Sequence, residues 1–142
     1  IDWGEEEKPE KEPEVIINLT PTEVTVITVA NNFAERFASY STDSNTTNLE
    51  EVKLLSSSWL INKLDDMIDN VGEANEFYGI SSKVLKTNID SLDESNGQAS
   101  LTITLQRQET MGSETKVIYQ DLELTLVKTG NNWLVNDFEW LN

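Results

Sequence analysis

The side chains that could carry chemistry in this sequence are mostly carboxylates, and two short segments place several oxygen ligands close together. Residues 64–70 read LDDMIDN and residues 91–97 read SLDESNG, so each segment offers several oxygen ligands for a hard cation such as calcium. Neither segment has the alternating acids, the glycine and the distant glutamate that a calcium-binding loop requires. We therefore predict no metal site, and we interpret DESNG as the turn of a hairpin.

The chain has no cysteine and no histidine. This composition excludes zinc centres built from thiolate and imidazole ligands, and it excludes Ser-His-Asp and Cys-His catalysis. The sequence also has no glycine-rich phosphate loop. We predict neither a catalytic constellation nor a cofactor.

The 142 residues carry 26 acidic and 10 basic side chains, a formal net charge of −16. This balance argues against direct binding to nucleic acid, which requires clustered lysine and arginine. No apolar stretch approaches the ~20 residues of a membrane-spanning helix. Because the chain begins with Ile1, we expect a processed or truncated product whose membrane anchor, if it has one, lies upstream.

The first residues differ in composition from the rest of the chain. Residues 1–14 read IDWGEEEKPEKEPE, with seven acids, two lysines and two prolines, and leave little to bury. We predict an acidic disordered linker over residues 1–17 and a single α+β domain over residues 18–142.

A long amphipathic helix is predicted at the start of the domain. Thr20-Pro21-Thr22-Glu23 has the spacing of a capping box, with proline at the first helical position. The apolar residues that follow at intervals of three and four form one stripe: Val26, Val29, Ala30, Phe33, Phe37 and Tyr40.

A second helical region is predicted from a cap at Asn48 and Glu51 to about Asn70. Its apolar residues form two stripes of different phase, one with Val52, Leu55 and Trp59 and one with Leu60, Leu64, Met67 and Val71. Ser56-Ser57-Ser58 lies near the change of phase, which is typical of a kinked helix or of two helices.

After Gly79 the apolar period changes from 3.6 to two, which indicates strands. We predict four strands in an antiparallel meander, with a two-residue turn at Asn96-Gly97 and a clean alternation at Ala99, Leu101, Ile103 and Leu105. In the third strand the apolar residues lie first at odd positions, Val117 and Tyr119, and then at even positions, Leu122, Leu124 and Leu126. This change of phase predicts a bulge or burial on both faces.

The last strand contains WLVNDFEWLN, with two of the four tryptophans. We predict that Trp133 and Val135 share one face of this strand and that Phe138 and Trp140 share the other. Because the apolar phase changes between the two pairs, we also predict a bulge or sharp bend at Asn136-Asp137. Trp133 is expected in the core against the first helix, and Trp140 is a candidate for contact with a partner.

The order of helices followed by four strands, with a terminal strand reading Trp133-x-Val135, resembles the nuclear transport factor two-like superfamily over residues 20–142. The resemblance implies an α+β fold in which N-terminal helices pack on a strongly curved antiparallel sheet and form a cone. It makes Phe33, Phe37, Tyr40, Trp59, Tyr78 and Trp133 the candidate pocket or core residues.

The superfamily has two branches that imply different functions. Members similar to ketosteroid isomerase or polyketide cyclases use the mouth of the cone as an active site, for which this chain offers Tyr40, Tyr78, Asp66 and Asp121. The other branch resembles the extracytoplasmic domains of VirB-eight-type assembly factors of type IV secretion and their Gram-positive conjugative relatives.

The acidic spacer, the truncated start and the lack of catalytic residue types favour the second branch. It implies a non-enzymatic scaffold outside the cytoplasm, tethered upstream, whose partners are protein subunits of a transfer complex or copies of itself. The alternatives are a small-molecule pocket domain, enzymatic or carrying a ligand, and a lipoprotein or spore-surface domain of structural role.

Overall fold

A computed structural model describes residues 18–73 and 76–142. The described chain contains three α-helices and five strands: α1 (Pro21–Phe37), β1 (Tyr40–Ser41), α2 (Thr47–Glu51), α3 (Ser58–Asp69), β2 (Tyr78–Asp93), β3 (Gln98–Met111), β4 (Glu114–Thr129) and β5 (Asn132–Leu141). The predicted linker, residues 1–17, lies outside the described residues.

The predicted capping box begins α1. The Glu23 backbone N–H donates to Thr20 Oγ1 at 3.1 Å, and the Thr20 backbone N–H donates to Glu23 Oε1 at 2.8 Å. These bonds satisfy two donors that a helix N-terminus otherwise leaves free. The helix buries Val26, Ala30, Phe33, Ala34 and Phe37. It ends at Phe37, so Tyr40 lies beyond it in β1.

The second helical region is two helices, α2 and α3, separated by a 3-10 turn at Val52–Leu55. The predicted break near Ser56-Ser58 is confirmed, but the predicted cap at Asn48 is wrong. Thr46 precedes α2, and the buried Asn48 amide instead donates to the Phe37 carbonyl at 2.9 Å. Ser57 caps the start of α3, and its hydroxyl accepts from the Leu60 N–H at 3.2 Å.

The five strands form one antiparallel sheet in the order β1-β2-β3-β4-β5. The α+β class and the curved sheet are confirmed, but the sheet has five strands rather than four. The additional strand, β1, is only two residues long and pairs with Gly79 and Ile80. Two residues are too few for an alternating pattern to be read from the sequence.

The turn between β2 and β3 differs from the prediction. Four residues, 94–97, connect Asp93 to its partner Gln98, rather than a two-residue turn at Asn96-Gly97. The Asp93 carboxylate accepts from Ser95 Oγ at 2.7 Å and from the Asn96 N–H at 3.1 Å. Gly97 has φ +63°, a backbone conformation that glycine adopts at little cost.

The phase switch in β4 involves neither a bulge nor burial on both faces. The register between β3 and β4 is continuous from Gln98 to Met111, so the switch separates two faces of one regular strand. Leu122, Leu124 and Leu126 face the core, and the side chains of Val117 and Tyr119 are 51% and 62% exposed on the opposite face.

The predicted bulge in β5 is confirmed at Asn136. Val135 pairs with Leu126 and Asp137 with Thr125, which leaves Asn136 as the additional residue. The bulge reverses the direction of the side chains that follow it. One face of the sheet therefore carries all four large apolar residues of β5: Trp133, opposite Lys128, and Val135, Phe138 and Trp140, opposite core-facing residues of β4. The expectation that the two pairs occupy opposite faces is wrong.

The bulge also joins β5 to α3. The Ser57 backbone N–H donates to the Val135 carbonyl at 2.8 Å, and Ser57 Oγ donates to Asn136 Oδ1 at 2.8 Å. Lys63 forms an ion pair with Asp137 at 2.9 Å. The start of α3 is therefore fixed to the last strand. The helices pack against the inner face of the sheet around one hydrophobic core.

Candidate binding pocket

A cavity of about 820 Å³ lies where the end of α1, the segment from β1 to α2 and the end of α3 meet the sheet. Its walls are apolar at Phe37, Leu49, Met67 and Val71, and Trp140 of β5 completes them. The polar lining residues are Tyr40, Ser41, Thr42, Asp43, Asn45, Asn48, Glu73 and Arg107. A volume of this size is in the usual range for small-molecule sites.

Arg107 is the cationic group of this pocket. It continues the inward-facing alternation of Ala99, Leu101, Ile103 and Leu105 along β3 by one further step. Its side chain is therefore directed to the concave face of the sheet, and the residue is only 7% exposed. Burial lowers the pKa of Arg107 from its ordinary value, but a guanidinium stays protonated at every physiological pH.

Three neutral acceptors hold the guanidinium. Nε donates to Ser82 Oγ at 3.0 Å, Nη1 donates to Gln120 Oε1 at 2.7 Å, and Nη2 donates to the Ala38 carbonyl at 3.1 Å. A guanidinium has five N–H donors, so two remain after these bonds. Among the described residues, no carboxylate oxygen lies within 4.0 Å of Arg107.

Trp140 covers one face of the guanidinium, with the Arg107 Cζ atom 4.4 Å from the ring centroid. The indole is also stacked with Phe37 at 6.2 Å between centroids, and Phe37 contacts Phe138 at 4.6 Å. This aromatic group fixes the plane of the arginine, because a cation is attracted to the face of an aromatic ring.

A tyrosine–carboxylate pair lies beside the arginine on the same face of the sheet. Tyr78 Oη donates to Glu109 Oε2 at 2.7 Å, and Lys116 Nζ lies 3.3 Å from Glu109 Oε1. The hydrogen bond from Tyr78, followed by the contact with Lys116, lowers the pKa of Glu109. Burial and the same hydrogen bond raise the pKa of Tyr78. The Tyr78 ring lies 6.0 Å from that of Tyr40.

The residues expected at the pocket from the sequence occupy different positions. Phe37 and Tyr40 line the cavity, as does Trp140, which was expected to contact a partner, and Phe33 and Trp133 are buried in the core. Tyr78 adjoins the pocket through Tyr40. Trp59 does not take the inward position expected of it, since its side chain is 56% exposed next to Lys63. Asp66 and Asp121 do not line the cavity.

Arg107 is not among the functional residues predicted from the sequence. The signal for it is the period of two in β3, because an uninterrupted alternation through Leu105 directs position 107 to the same face. An arginine at that position was not recognised as part of the inner face, since charged residues are rarely buried.

The carboxylate segments show no metal geometry in the described part of the chain. No group of three or more acidic side chains within residues 18–73 and 76–142 is arranged to hold a metal ion. The described helices are also too short or too polar for any of them to cross a membrane.

Comparison with known proteins identifies the fold. No protein-family model and no curated protein sequence matches this chain. Among solved structures, it is similar to CagV, a VirB8 homologue of the type IV secretion system of Helicobacter pylori strain 26695, with a TM-score of 0.62, 11% identity, and coverage of 84% of this chain and 98% of CagV.

Two further structures agree over most of their length. The putative transfer protein TraH of the Gram-positive conjugative plasmid pIP501 matches with a TM-score of 0.57 and 12% identity over 89% of this chain and 97% of TraH. The periplasmic domain of DotI matches with a TM-score of 0.62 and 10% identity over 88% of this chain and 97% of that domain. The chain therefore has the nuclear transport factor two-like fold in the form found in VirB8-type domains.

Proposed function

We propose that this chain is a non-enzymatic, extracytoplasmic scaffold domain of a membrane-anchored component in a conjugative type IV secretion complex. The observation that carries this proposal is the coverage of the structural matches. The described domain aligns with 97–98% of CagV, TraH and the periplasmic domain of DotI, so the likeness extends to the whole of each domain. The acidic composition of residues 1–17 suits a spacer between a membrane and the folded domain.

The chemistry of the pocket supports a non-enzymatic role. The buried ionisable group at its wall is Arg107, which stays protonated and so cannot act as a general base. The two carboxylates that line the cavity, Asp43 and Glu73, belong to exposed residues rather than to a buried and aimed pair.

A partner subunit requires a surface, and β4 offers an open edge. Strand β5 pairs only with Asp121–Thr129 of β4, so the described strands leave the segment 114–120 paired with β3 alone. Val117 and Tyr119 are exposed in this segment. The outer edge of β2 differs at Ser82 and Val84, where α1 and the segment after it supply acceptors. Glu35 accepts from the Val84 N–H at 3.0 Å, and the Ser39 hydroxyl accepts from the Ser82 N–H at 2.8 Å.

An open strand edge can accept a strand from a neighbouring chain through backbone hydrogen bonds. We infer that the segment 114–120 is where a protein subunit of the transfer complex, or a second copy of this chain, adds to the sheet. The experiment deletes the full-length gene in its host and restores it as wild type, Val117→Lys or Thr125→Lys. Frequency of plasmid transfer is the measurement.

Deletion is expected to reduce transfer to that of a strain without transfer machinery, and wild type to restore it. Val117→Lys is expected to restore it poorly, because lysine on an exposed edge opposes strand addition. Thr125→Lys is the matched control, since Thr125 is exposed in the same strand but is paired on both sides, with Ser100 and Asp137. Unchanged transfer on deletion would reject the proposed function, and equal effects of the two lysines would reject the edge as the interface.

A further inference from the structure

The pocket contains a buried positive charge that forms no direct ion pair among the described residues. Arg107 is 7% exposed, and its three partners, Ser82, Gln120 and the Ala38 carbonyl, are all uncharged. Withdrawing a charge from water is costly unless an opposite charge compensates it. The chain has 26 acidic residues, yet none within residues 18–73 and 76–142 forms an ion pair with Arg107. Glu109 acts on Arg107 without direct contact, so an anion in the cavity would form the ion pair that the described residues do not.

The remaining donors determine which anion fits. Trp140 covers one face of the guanidinium, and two of its five N–H groups have no acceptor among the described residues. Edge-on approach to two N–H groups is the geometry of a bidentate carboxylate. Arg107 is also the only lysine or arginine among the lining residues that the structure describes, while Asp43 and Glu73 line the same cavity. One cation beside two carboxylates favours a monoanion over phosphate esters of higher charge.

The apolar residues that line the cavity indicate what the uncharged part of the ligand is. Phe37, Leu49, Met67 and Trp140 present aromatic and aliphatic surface to the cavity, and its volume of about 820 Å³ exceeds that of a single small ring. We propose that this pocket binds a small apolar carboxylate with a body of two fused rings or similar size. The carboxylate pairs with Arg107, and the body packs against Phe37, Leu49, Met67 and Trp140. This site stands apart from the strand-edge interface and does not depend on a role in transfer.

The probe is 2-naphthoate, compared with its neutral isostere 2-naphthamide. Each is titrated into the full chain, and the indole N–H of Trp140 and the Nε–H of Arg107 are followed by NMR. We expect saturable shifts at both groups with naphthoate, and at least about tenfold weaker binding of the amide, because a hydrogen bond between two charged groups is worth more than one to a neutral group. Equal binding of the two probes, or shifts confined to other residues, would overturn the proposal.

Three variants distinguish binding through the planar guanidinium of Arg107 from a general effect of positive charge. Arg107→Gln is expected to remove the preference for the carboxylate, and Arg107→Lys to retain only part of it, because an ammonium lacks the planar fork. Lys86→Gln removes the same unit of charge from an exposed position that does not line the pocket, and is expected to leave the affinity unchanged.

Because Arg107→Gln also removes three hydrogen bonds, the fold of each variant is checked by its amide spectrum. The comparison of naphthoate with naphthamide on the wild-type chain stands whether or not the variants fold. Loss of affinity in Lys86→Gln equal to that in Arg107→Gln would contradict a specific site. Tighter binding of a peptide with a C-terminal phenylalanine than of naphthoate would assign the pocket to a protein partner and overturn the small-molecule proposal.

Discussion

Glu109 is a carboxylate that the folded protein holds in its ionised form. Tyr78 donates a hydrogen bond to one of its oxygens and Lys116 lies near the other. The pKa of Glu109 is consequently lower in the folded chain than its usual value. The folded state therefore binds fewer protons than the unfolded state just below that usual value, and stability rises with pH there.

We expect Tyr78→Phe to weaken this dependence on pH. The contribution of the pair is present above the unfolded pKa of Glu109 and is lost as pH falls through the lower folded value. The difference in free energy of unfolding between wild type and Tyr78→Phe should therefore be larger at pH 6 than at pH 3. Urea denaturation at both values measures it.

Tyr40→Phe is the control, because Tyr40 adjoins Tyr78 without a hydrogen bond to Glu109 among the described contacts. An equal dependence on pH in the two variants would exclude the Tyr78–Glu109 bond as its cause.

Arg107 illustrates how far single residues can be interpreted from sequence. The alternation from Ala99 to Leu105 correctly identifies the buried face of β3, because side-chain direction in a strand follows a period of two. The partners of the next residue on that face come from other elements: Gln120 from β4, Ser82 from β2 and Ala38 from the end of α1. Such contacts depend on tertiary packing, so the local pattern could not identify them.

At the scale of elements, the bulge in β5 determines which side chains reach the core. The reversal of apolar phase across Asn136-Asp137 was sufficient to locate it in the sequence. The side on which Phe138 and Trp140 emerge depends on pairing with β4, and that pairing turns them inward with Trp133. The helix break at Ser56-Ser58 is a similar case, since its position was predicted but its bonds to β5 were not.

Deleting Asn136 tests the function of the bulge. Without the additional residue the strand is regular, so Phe138 and Trp140 would face the outer side of the sheet. We expect a loss of free energy of unfolding of about 3–5 kcal/mol or more, the usual cost of removing one large aromatic side chain from a core. Urea denaturation measures the loss.

Asn136→Ala is the matched variant, because it keeps the bulge and removes only the bond to Ser57 Oγ. We expect it to cost about 1 kcal/mol. A deletion that costs no more than this substitution would contradict the assigned role of the bulge.

At the scale of the whole molecule, most acidic side chains have no basic side chain to balance them, because the net charge is −16. The described ion pairs involve Lys53, Lys63 and Lys116, whereas the chain has 26 acidic and 10 basic residues. Mutual repulsion of like charges destabilises a compact chain relative to an expanded one. This repulsion follows from the composition and does not depend on the fold.

We expect sodium chloride to raise the Tm of the full chain at pH 7. Increasing salt from about 0.1 M to about 1 M shortens the screening length from roughly 10 Å to roughly 3 Å, which weakens the repulsion. The control is the same titration near the pI of about 4.1, where the net charge is small and a smaller rise is expected. Equal rises at the two pH values would attribute the effect to salt acting on apolar surface.

The bonds between Ser57 and the β5 bulge have a consequence for the order in which the chain folds. The two partners are separated by 79 residues, so α3 emerges during synthesis long before the strand that completes its N-terminus. Until then Leu60 and Leu64, which are fully buried in the finished domain, lack the last strand of the sheet on which they rest. Contacts between distant segments form slowly, and apolar surface left open meanwhile attracts chaperones or other chains. Helix α3 is therefore a segment whose apolar face stays open to other chains until β5 has been synthesised.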